Sequence, residues 1–167
     1  MSMVPTAANN TTLALTITAM AMEPGNPDVV YVSTLSDVYK TMDGGASWHP
    51  TRGNPGVVVL AMDPTNPQVL YSGSSPNGGV AKTTDGGRTW QPATNGMGVP
   101  AVFSIAVDPH DPLVVYAGTA GAGAYRAADG GANWTPLQID TTVWSVLVDP
   151  EHGDIVYAGT NGQGVYV

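Results

Sequence analysis

A repeated sequence unit constrains the fold of this chain more than any other feature. The unit carries an Asp-Gly-Gly turn followed by a tryptophan, and it occurs as TMDGGASW (41–48), TTDGGRTW (83–90) and AADGGANW (127–134). A second marker, an acid eight residues ahead of a tyrosine, occurs in EPGNPDVVY (23–31), DPTNPQVLY (63–71), DPHDPLVVY (108–116) and DPEHGDIVY (149–157). The tyrosines recur at spacings of 40, 45 and 41 residues. Self-similarity at such a period is typical of repeat architectures, in which each unit packs on the next.

Each unit predicts four short strands. The first strand is almost entirely apolar or small, as in Val57 to Met62, Val102 to Val107 and Val143 to Val148, which is typical of a strand buried on both faces. A β-branched strand ending near the tyrosine, a Gly-rich loop, a third strand, the Asp-Gly-Gly turn and a fourth strand follow. Four strands per repeat of this length match a β-propeller blade. The sequence therefore predicts an all-β propeller of four blades, with repeats at 13–54, 55–98, 99–140, and 141–167 plus 1–10.

Charge and composition exclude several function classes. The 167 residues include 5 Lys and Arg against 13 Asp and Glu, so the formal charge is −8 and binding to nucleic acid or anionic membranes is not expected. Without cysteine there is no thiolate nucleophile, and the three histidines, His49, His110 and His152, lack metal-ligand spacing. We expect no metal and no cofactor. A charged fraction of only 11%, with abundant Thr, Asn and Gly, favours an extracellular or cell-surface location.

The turn motif resembles a known family. The pattern Ser/Thr-x-Asp-x-Gly-x-x-Trp is similar to the Asp-box, or BNR repeat, of sialidase-like propellers, sortilin-type receptors, some glucan hydrolases and photosystem II assembly factors. The resemblance implies a structural role, on the rim away from any active face. The structural residues would be Asp43, Gly45, Trp48, Asp85, Gly87, Trp90, Asp129, Gly131 and Trp134. We expect the aspartate to accept turn amides, the glycine to adopt positive φ and the tryptophan to cover the turn. The third copy has Ala127 in place of the hydroxyl residue, which predicts a less well tied turn.

The chain ends predict how the last blade is completed. The fourth repeat reaches GVYV (164–167) just before an Asp-Gly-Gly turn would begin, whereas residues 3–6 align with residues 90–93 in an outer strand. We therefore expect the N-terminal strand to complete the fourth blade. This can occur within one chain, as a four-bladed ring, or between two chains, as an eight-bladed dimer; a swap that does not close would build a filament. The sequence favours a homo-oligomer, and deletion of residues 1–10 should expose the edge and cause aggregation.

Candidate ligand-binding residues come from the Gly-rich loops and the loops that enter the inner strands. Carboxylates that recur once per blade are architectural, because a catalytic group is needed only once. Asp37 and Asp140 do not recur and are expected on one face. The candidate ligand-binding residues are Asp37, Asn77, Asn95, Asp140, Trp144, Asn161 and Gln163. Trp144 shares its inner-strand position with Phe103, and it either belongs to the core or is exposed and stacks on a sugar.

We predict a non-catalytic scaffold for self-assembly, or for binding a protein or glycan through the Gly-rich loop face. The alternative is a glycoside hydrolase or lyase that uses Asp37 and Asp140 as its two carboxylates. Sialidase chemistry, as the resemblance would imply it, needs three arginines around a carboxylate and a Tyr-Glu nucleophile pair. Arg52, Arg88 and Arg126 do not fit that arrangement, so no catalytic residue is assigned.

Overall fold

A computed structural model describes residues 16–51, 56–75, 78–98 and 100–167. These residues form four antiparallel sheets, which we number as blades 1 to 4. Blade 1 contains β1 (Ile17–Met22), β2 (Val30–Thr34), β3 (Val38–Thr41) and β4 (His49–Pro50). Blade 2 contains β5 (Val57–Met62), β6 (Leu70–Ser74), β7 (Gly79–Thr83) and β8 (Gln91–Pro92). Blade 3 contains β9 (Val102–Val107), β10 (Val115–Thr119), β11 (Ala124–Ala127) and β12 (Trp134–Pro136). Blade 4 contains β13 (Val143–Val148), β14 (Val156–Thr160) and β15 (Val165–Tyr166).

The predicted inner strands β5, β9 and β13 are present with the expected bounds. Each strand pairs with its sequence neighbour, so every blade is a meander. Pairing between the first and second strands is interrupted near the start of each inner strand, for example between Val57 and Val59 in blade 2. Blades 1, 3 and 4 have a register shift at the corresponding place. Such an irregularity increases the local twist of the sheet, and here it recurs in every blade.

The core lies between consecutive blades, where β1 packs on β5, β5 on β9, and β9 on β13. At the junction of blades 1 and 2, Leu60 belongs to a buried cluster on which Ala19 and Ala21 pack. Two glycines permit the close approach: a Cβ on Gly73 would lie 2.7 Å from a methyl of Val102, and one on Gly118 would lie 2.8 Å from a methyl of Val143. The second strand of one blade therefore lies directly against the inner strand of the next.

The two ends of this row of blades are exposed. Ile17 and Met20 of β1 are 42% and 55% exposed, whereas Val57 and Leu60, at the same positions of β5, are 0% and 8% exposed. Leu147 of β13 is 61% exposed on the opposite end. The prediction of inner strands buried on both faces is therefore wrong for β1 and β13. These strands have a packed blade on one side only among the described residues.

The repeated tyrosines show the same dependence on the next blade. One tyrosine per repeat predicts packing between blades, and Tyr31, Tyr71 and Tyr116 are buried accordingly. Tyr157 is 38% exposed, so the expectation is wrong for the fourth, because no described strand follows blade 4.

Blade 4 has three strands among the described residues. The N-terminal strand expected to complete it falls in residues 1–15, outside the described part of the chain, and that expectation stays a prediction. In the described ranges, no helix has the length and apolar character needed to span a membrane.

Candidate functional site

The Asp-Gly-Gly turns, here called the first, second and third turns at 41–48, 83–90 and 127–134, are held by a short hydrogen-bond network. In the first turn, the Thr41 hydroxyl donates to Asp43 Oδ1 at 2.7 Å and accepts the Gly45 amide at 2.9 Å. The Ser47 amide and hydroxyl donate to the two Asp43 carboxylate oxygens at 2.8 and 2.6 Å. Gly45 has a φ of 92°, which a residue with a side chain rarely adopts. The second turn repeats this network through Thr83, Asp85 and Thr89.

The third turn has fewer of these bonds, as its sequence predicts. Asn133 donates its amide and its side-chain Nδ2 to the Asp129 carboxylate at 2.9 and 2.7 Å. Ala127 supplies no hydroxyl. In the first two turns, the hydrogen bonds from the Ser or Thr donors lower the pKa of Asp43 and Asp85 to about 2. The bonds from Asn133 also lower the pKa of Asp129.

The second and third turns each accept hydrogen bonds from a tyrosine and a lysine of the preceding blade. We call this arrangement the turn clamp. The Tyr31 hydroxyl donates to the Gly86 carbonyl oxygen at 3.0 Å, and Lys40 Nζ reaches the same oxygen at 3.4 Å. Lys40 Nζ also lies 4.9 Å from the centroid of the Tyr31 ring. The clamp therefore joins consecutive blades through one backbone carbonyl.

Tyr71 and Lys82 form the second clamp on Gly130. Their donor atoms lie 3.0 and 2.7 Å from the Gly130 carbonyl oxygen. Burial, together with the charges of Asp63 and Asp129, raises the pKa of Tyr71 to about 12, so its hydroxyl remains a donor over the whole physiological range. Burial lowers the pKa of Lys82, while the same two carboxylates oppose that shift.

Sequence reasoning missed the clamp. Lys40, Lys82 and Arg126 recur at one position of the third strand, and a charged residue that recurs in this way predicts an outward, solvent-facing side chain. The available signal was the joint recurrence of a cation on the third strand and a tyrosine on the second, which pair across the sheet as Tyr31 with Lys40, and Tyr71 with Lys82.

The third Tyr-cation pair borders a cleft between blades 3 and 4. The cleft has a volume of about 390 Å³, and Tyr116 and Arg126 line it together with Asp108, Asp111 and Asp154. Arg126 Nε donates to the Tyr116 hydroxyl oxygen at 3.3 Å, which leaves the hydroxyl hydrogen available to another acceptor. This pair thus faces a cleft where the first two clamps face a turn.

A stacked aromatic pair, with one exposed member, lies near the start of the inner strands β9 and β13. The rings of Phe103 and Trp144 stack with centroids 4.7 Å apart and an interplanar angle of 21°. Trp144 is 53% exposed, so it is not a core residue. A broad aromatic surface of this kind can stack on the apolar face of a sugar or on an aromatic side chain.

The structure brings several of the predicted ligand residues to one end of blade 4. The Asn161 amide donates to the Thr142 carbonyl oxygen at 2.9 Å, which places Asn161 beside the segment that carries Asp140 and Trp144. Gln163 accepts the Tyr166 hydroxyl in the same loop at 2.6 Å. Asn95 lies elsewhere, where its side chain donates to Asn133 of the third turn. Asn77 lies outside the described residues.

The two non-recurring carboxylates belong to different blades. Asp37 precedes β3 in blade 1 and accepts the Val38 amide at 2.8 Å, whereas Asp140 is exposed in the connection from β12 to β13. Blade 2 lies between blade 1 and blade 3 in the row. Hydrolysis by two carboxylates requires them to face each other within about 10 Å. Among the described residues, no group of three or more His, Asp and Glu side chains could hold a metal ion.

Comparison with known proteins supports the fold. No protein-family model and no curated protein matches this sequence. Among solved structures, an ancestral GH74 enzyme matches with a TM-score of 0.77 and 24% identity over 90% of this chain and 22% of its own. YCF48 bound to D1 peptide matches with a TM-score of 0.62 and 15% identity over 95% of this chain and 50% of its own. The fold is that of a β-propeller. At these identities the likeness shows the fold alone, and the chain spans less than a quarter of the GH74 enzyme's length.

A third match has a comparable length. The computationally designed Ika4 protein matches with a TM-score of 0.68 and 15% identity over 92% of this chain and 91% of its own.

Proposed function

We propose that this chain is a non-catalytic propeller scaffold that assembles head to tail with a second copy of itself. One observation carries the proposal: positions that are buried or partly buried at the junctions between blades are exposed at the two ends of the row. We call Ile17, Met20 and Met22 the first end face, and Ser145, Leu147 and Tyr157 the second end face. None of these six residues is charged, which suits the core of a protein interface.

The two end faces correspond to the two sides of a junction that the chain already forms internally. Met20 takes the repeat position of Leu60 and Ile105, which are each 8% exposed. Leu147 takes the position of Ala21, which packs on the cluster containing Leu60. Docking of the second end face on the first end face of another copy would therefore repeat the geometry of an interior junction. The one difference in size at this position is that Leu147 is larger than Ala21.

The turn clamp supports the same orientation. Tyr157 occupies the repeat position of Tyr31 and Tyr71, whose hydroxyls bind the first glycine of the turn in the next blade. In a head-to-tail pair, the corresponding acceptor is the Gly44 carbonyl oxygen of the second copy. Two such junctions would close a ring of eight blades with twofold symmetry, in which we expect residues 1–10 of one copy to complete blade 4 of the other.

The mass in solution tests this assembly. The chain has a mass of 17.1 kDa, so light scattering should give about twice this value for the native protein. Leu147→Glu should shift the protein to the monomer, because a charge would then be buried without a partner. Leu113→Glu is the matched control, since Leu113 is 57% exposed but lies outside both end faces. A native monomer with unchanged melting in Leu147→Glu would contradict the proposal.

Glycan binding by the aromatic pair is a second candidate, because Trp144 is exposed and stacked on Phe103. A soluble oligosaccharide panel should quench Trp144 fluorescence, and Trp144→Ala should abolish binding while the melting temperature is retained. The hydrolase alternative predicts product release from the same panel, with loss of activity in both Asp37→Asn and Asp140→Asn. Binding without turnover favours the scaffold over the enzyme.

A further inference from the structure

A cleft between blades 1 and 2, here called the basic cleft, collects basic side chains in an acidic chain. It has a volume of about 420 Å³, and it is lined by Lys40 and His49 of blade 1 and by Arg88 of blade 2. Among the described residues that line it, none is acidic. The chain has 5 Lys and Arg at a formal charge of −8, and two of these five residues border this one cleft. Described blades form both of its walls, so the cleft involves neither end of the row.

The strand register places Lys40 and His49 side by side. The two residues lie directly opposite each other in the pairing of β3 with β4, so their side chains project from the same side of the sheet. Like charges at opposed positions destabilise a sheet. A lysine opposite a histidine therefore becomes an unfavourable pair whenever the histidine is protonated, and an anion bound between them would remove that cost.

Arg88 enters the cleft from the second turn. Lys40 Nζ lies 3.4 Å from the Gly86 carbonyl oxygen, so the turn segment that carries Arg88 passes beside the ammonium group. Thr51 lies against the same segment, since a Cβ on Gly87 would be 3.2 Å from the Thr51 methyl. The two blades therefore hold the ammonium and the base of the arginine on facing walls of one cleft.

The two cations keep donors for a ligand. Within the described ranges, neither Lys40 nor Arg88 forms an ion pair with a carboxylate. The acid nearest in sequence to Arg88 is Asp85, whose carboxylate accepts the hydroxyls of Thr83 and Thr89. An ammonium has three N–H donors and a guanidinium has five, so the single bond from Lys40 to a carbonyl leaves most of this capacity unused.

We propose that the basic cleft binds the oxyanion group of a small molecule, either a carboxylate or a phosphate. The Arg88 guanidinium supplies the planar fork that matches two oxygens of such a group, and Lys40 supplies a second positive charge from the opposite wall. The His49 ring adds a third donor beside Lys40. This inference does not rest on the head-to-tail assembly, because all three side chains belong to one chain.

The corresponding cleft between blades 2 and 3 provides an internal comparison. Its volume is about 400 Å³, and the three residues at the same repeat positions are Lys82, Gln91 and Ala132. Asp129 also lines it. One lysine beside one carboxylate gives no net positive charge, so we expect oxyanion binding at the basic cleft and none at its counterpart.

A titration with two oxyanions and a neutral sugar tests the site. Amide NMR spectra of the full chain, at constant pH and ionic strength, should show saturable shifts at Arg88 and His49 with inorganic phosphate, with galacturonate or with both, at millimolar dissociation constants. Galactose, which lacks the carboxylate, should cause none. The tighter of the two anions shows whether the site prefers a phosphate or a carboxylate. Shifts that do not saturate with either anion would overturn the proposal.

A double variant converts the basic cleft into its counterpart. His49→Gln with Arg88→Ala introduces the two residues that hold these positions at the next junction, so the melting temperature should be retained. Arg88→Ala alone should weaken anion binding about tenfold, and the double variant should weaken it further. Arg126→Met is the matched control, because it removes one positive charge at an exposed position outside the basic cleft. An affinity that the double variant retains, or that Arg126→Met lowers equally, would also overturn the proposal.

Discussion

At the scale of single residues, one carboxylate per turn organises the connection between the third and fourth strands. In the first and second turns, the carboxylates of Asp43 and Asp85 each accept two hydroxyl hydrogen bonds. One donor is the threonine two residues earlier, and the other is a Ser or Thr four residues later. The third turn has alanine at position 127, which is buried to 1% exposure at the site where Thr41 is 0% exposed. The three turns thus form a natural series in which one hydroxyl is present or absent.

Restoring the hydroxyl should strengthen the third turn. Ala127→Thr should donate to Asp129 and accept the Gly131 amide, as Thr83 does for Asp85 and Gly87, and raise the melting temperature by about 2–4 °C. The same substitution should move the Asp129 pKa further down, which carboxyl NMR titration would measure. Thr83→Ala is the reciprocal change and should lower the melting temperature. A lower melting temperature in Ala127→Thr would contradict the equivalence of the three turns.

The depressed pKa values predict acid sensitivity. The pKa of Asp43 and of Asp85 is about 2 in the folded chain and 3.8 in an ordinary environment, so the unfolded chain binds protons more readily. The stability these groups contribute is fully present above pH 3.8 and is lost as the pH falls towards about 2. Melting temperature measured from pH 5 to pH 2 should decline in that window, and the decline should be shallower in the double variant Asp43→Asn, Asp85→Asn. Identical slopes would argue against the hydrogen-bonded carboxylates as the cause.

At the scale of elements, the second strand of each blade determines how closely the next blade approaches. Gly73 and Gly118 have no room for a Cβ because an inner-strand valine lies against each of them. Gly159 is the corresponding residue of blade 4, and the atoms nearest to a Cβ added there are the Cβ and the carbonyl oxygen of Ser145, both at 3.9 Å. Whether this position of the second strand can hold a side chain therefore depends on whether another blade packs against it.

Alanine substitution separates packing from backbone effects. Gly73→Ala and Gly118→Ala should each destabilise the fold by about 1–3 kcal/mol through overpacking against Val102 or Val143. Gly159→Ala is the control for the intrinsic change from glycine to alanine in a strand, and it should cost little in the monomer. Urea unfolding at low protein concentration would measure all three. A large loss of stability in the Gly159→Ala monomer would contradict the open end at blade 4.

At the scale of the whole molecule, the row of blades has two different ends. The first end face is the side of blade 1 that, in blades 2 to 4, contacts the preceding blade. The second end face is the side of blade 4 that, in blades 1 to 3, contacts the following blade. The two end faces are complementary to each other, but neither is complementary to itself. Each junction is therefore heterologous, and the assembly closes into a ring only when the rotation between successive copies brings the last copy back to the first.

A charge swap tests that head-to-tail arrangement. Met20→Lys and Leu147→Glu should each be monomeric alone, because both junctions of a homodimer would bury an unpaired charge. Mixed in equal amounts, the two variants should form a heterodimer with one native junction and one Lys-Glu junction. Native mass spectrometry distinguishes these species by mass. Two variants that stay monomeric when mixed, although the native protein is a dimer, would show that the dimer uses another surface.

The sequence by itself determined the blade. The repeat spacing, the apolar first strand and the Asp-Gly-Gly turn are all local in the chain, so strand order, the inner strands at Val57–Met62 and Val102–Val107, and the turn geometry could be predicted from it. Positive φ at Gly45 and the weaker network at Asp129 also followed from local chemistry.

Tertiary structure decided everything that depends on a neighbouring blade. By repeat position alone, Tyr157 is equivalent to Tyr31, although the two tyrosines differ in exposure. The sequence pattern also does not show the acceptor of Lys40, because that acceptor is a backbone carbonyl oxygen of the next blade. The exposure of Leu147 likewise depends on whether another blade packs on β13. Burial and hydrogen bonding between repeats are properties of pairs of blades, and the sequence of a single repeat does not encode which pairs are formed.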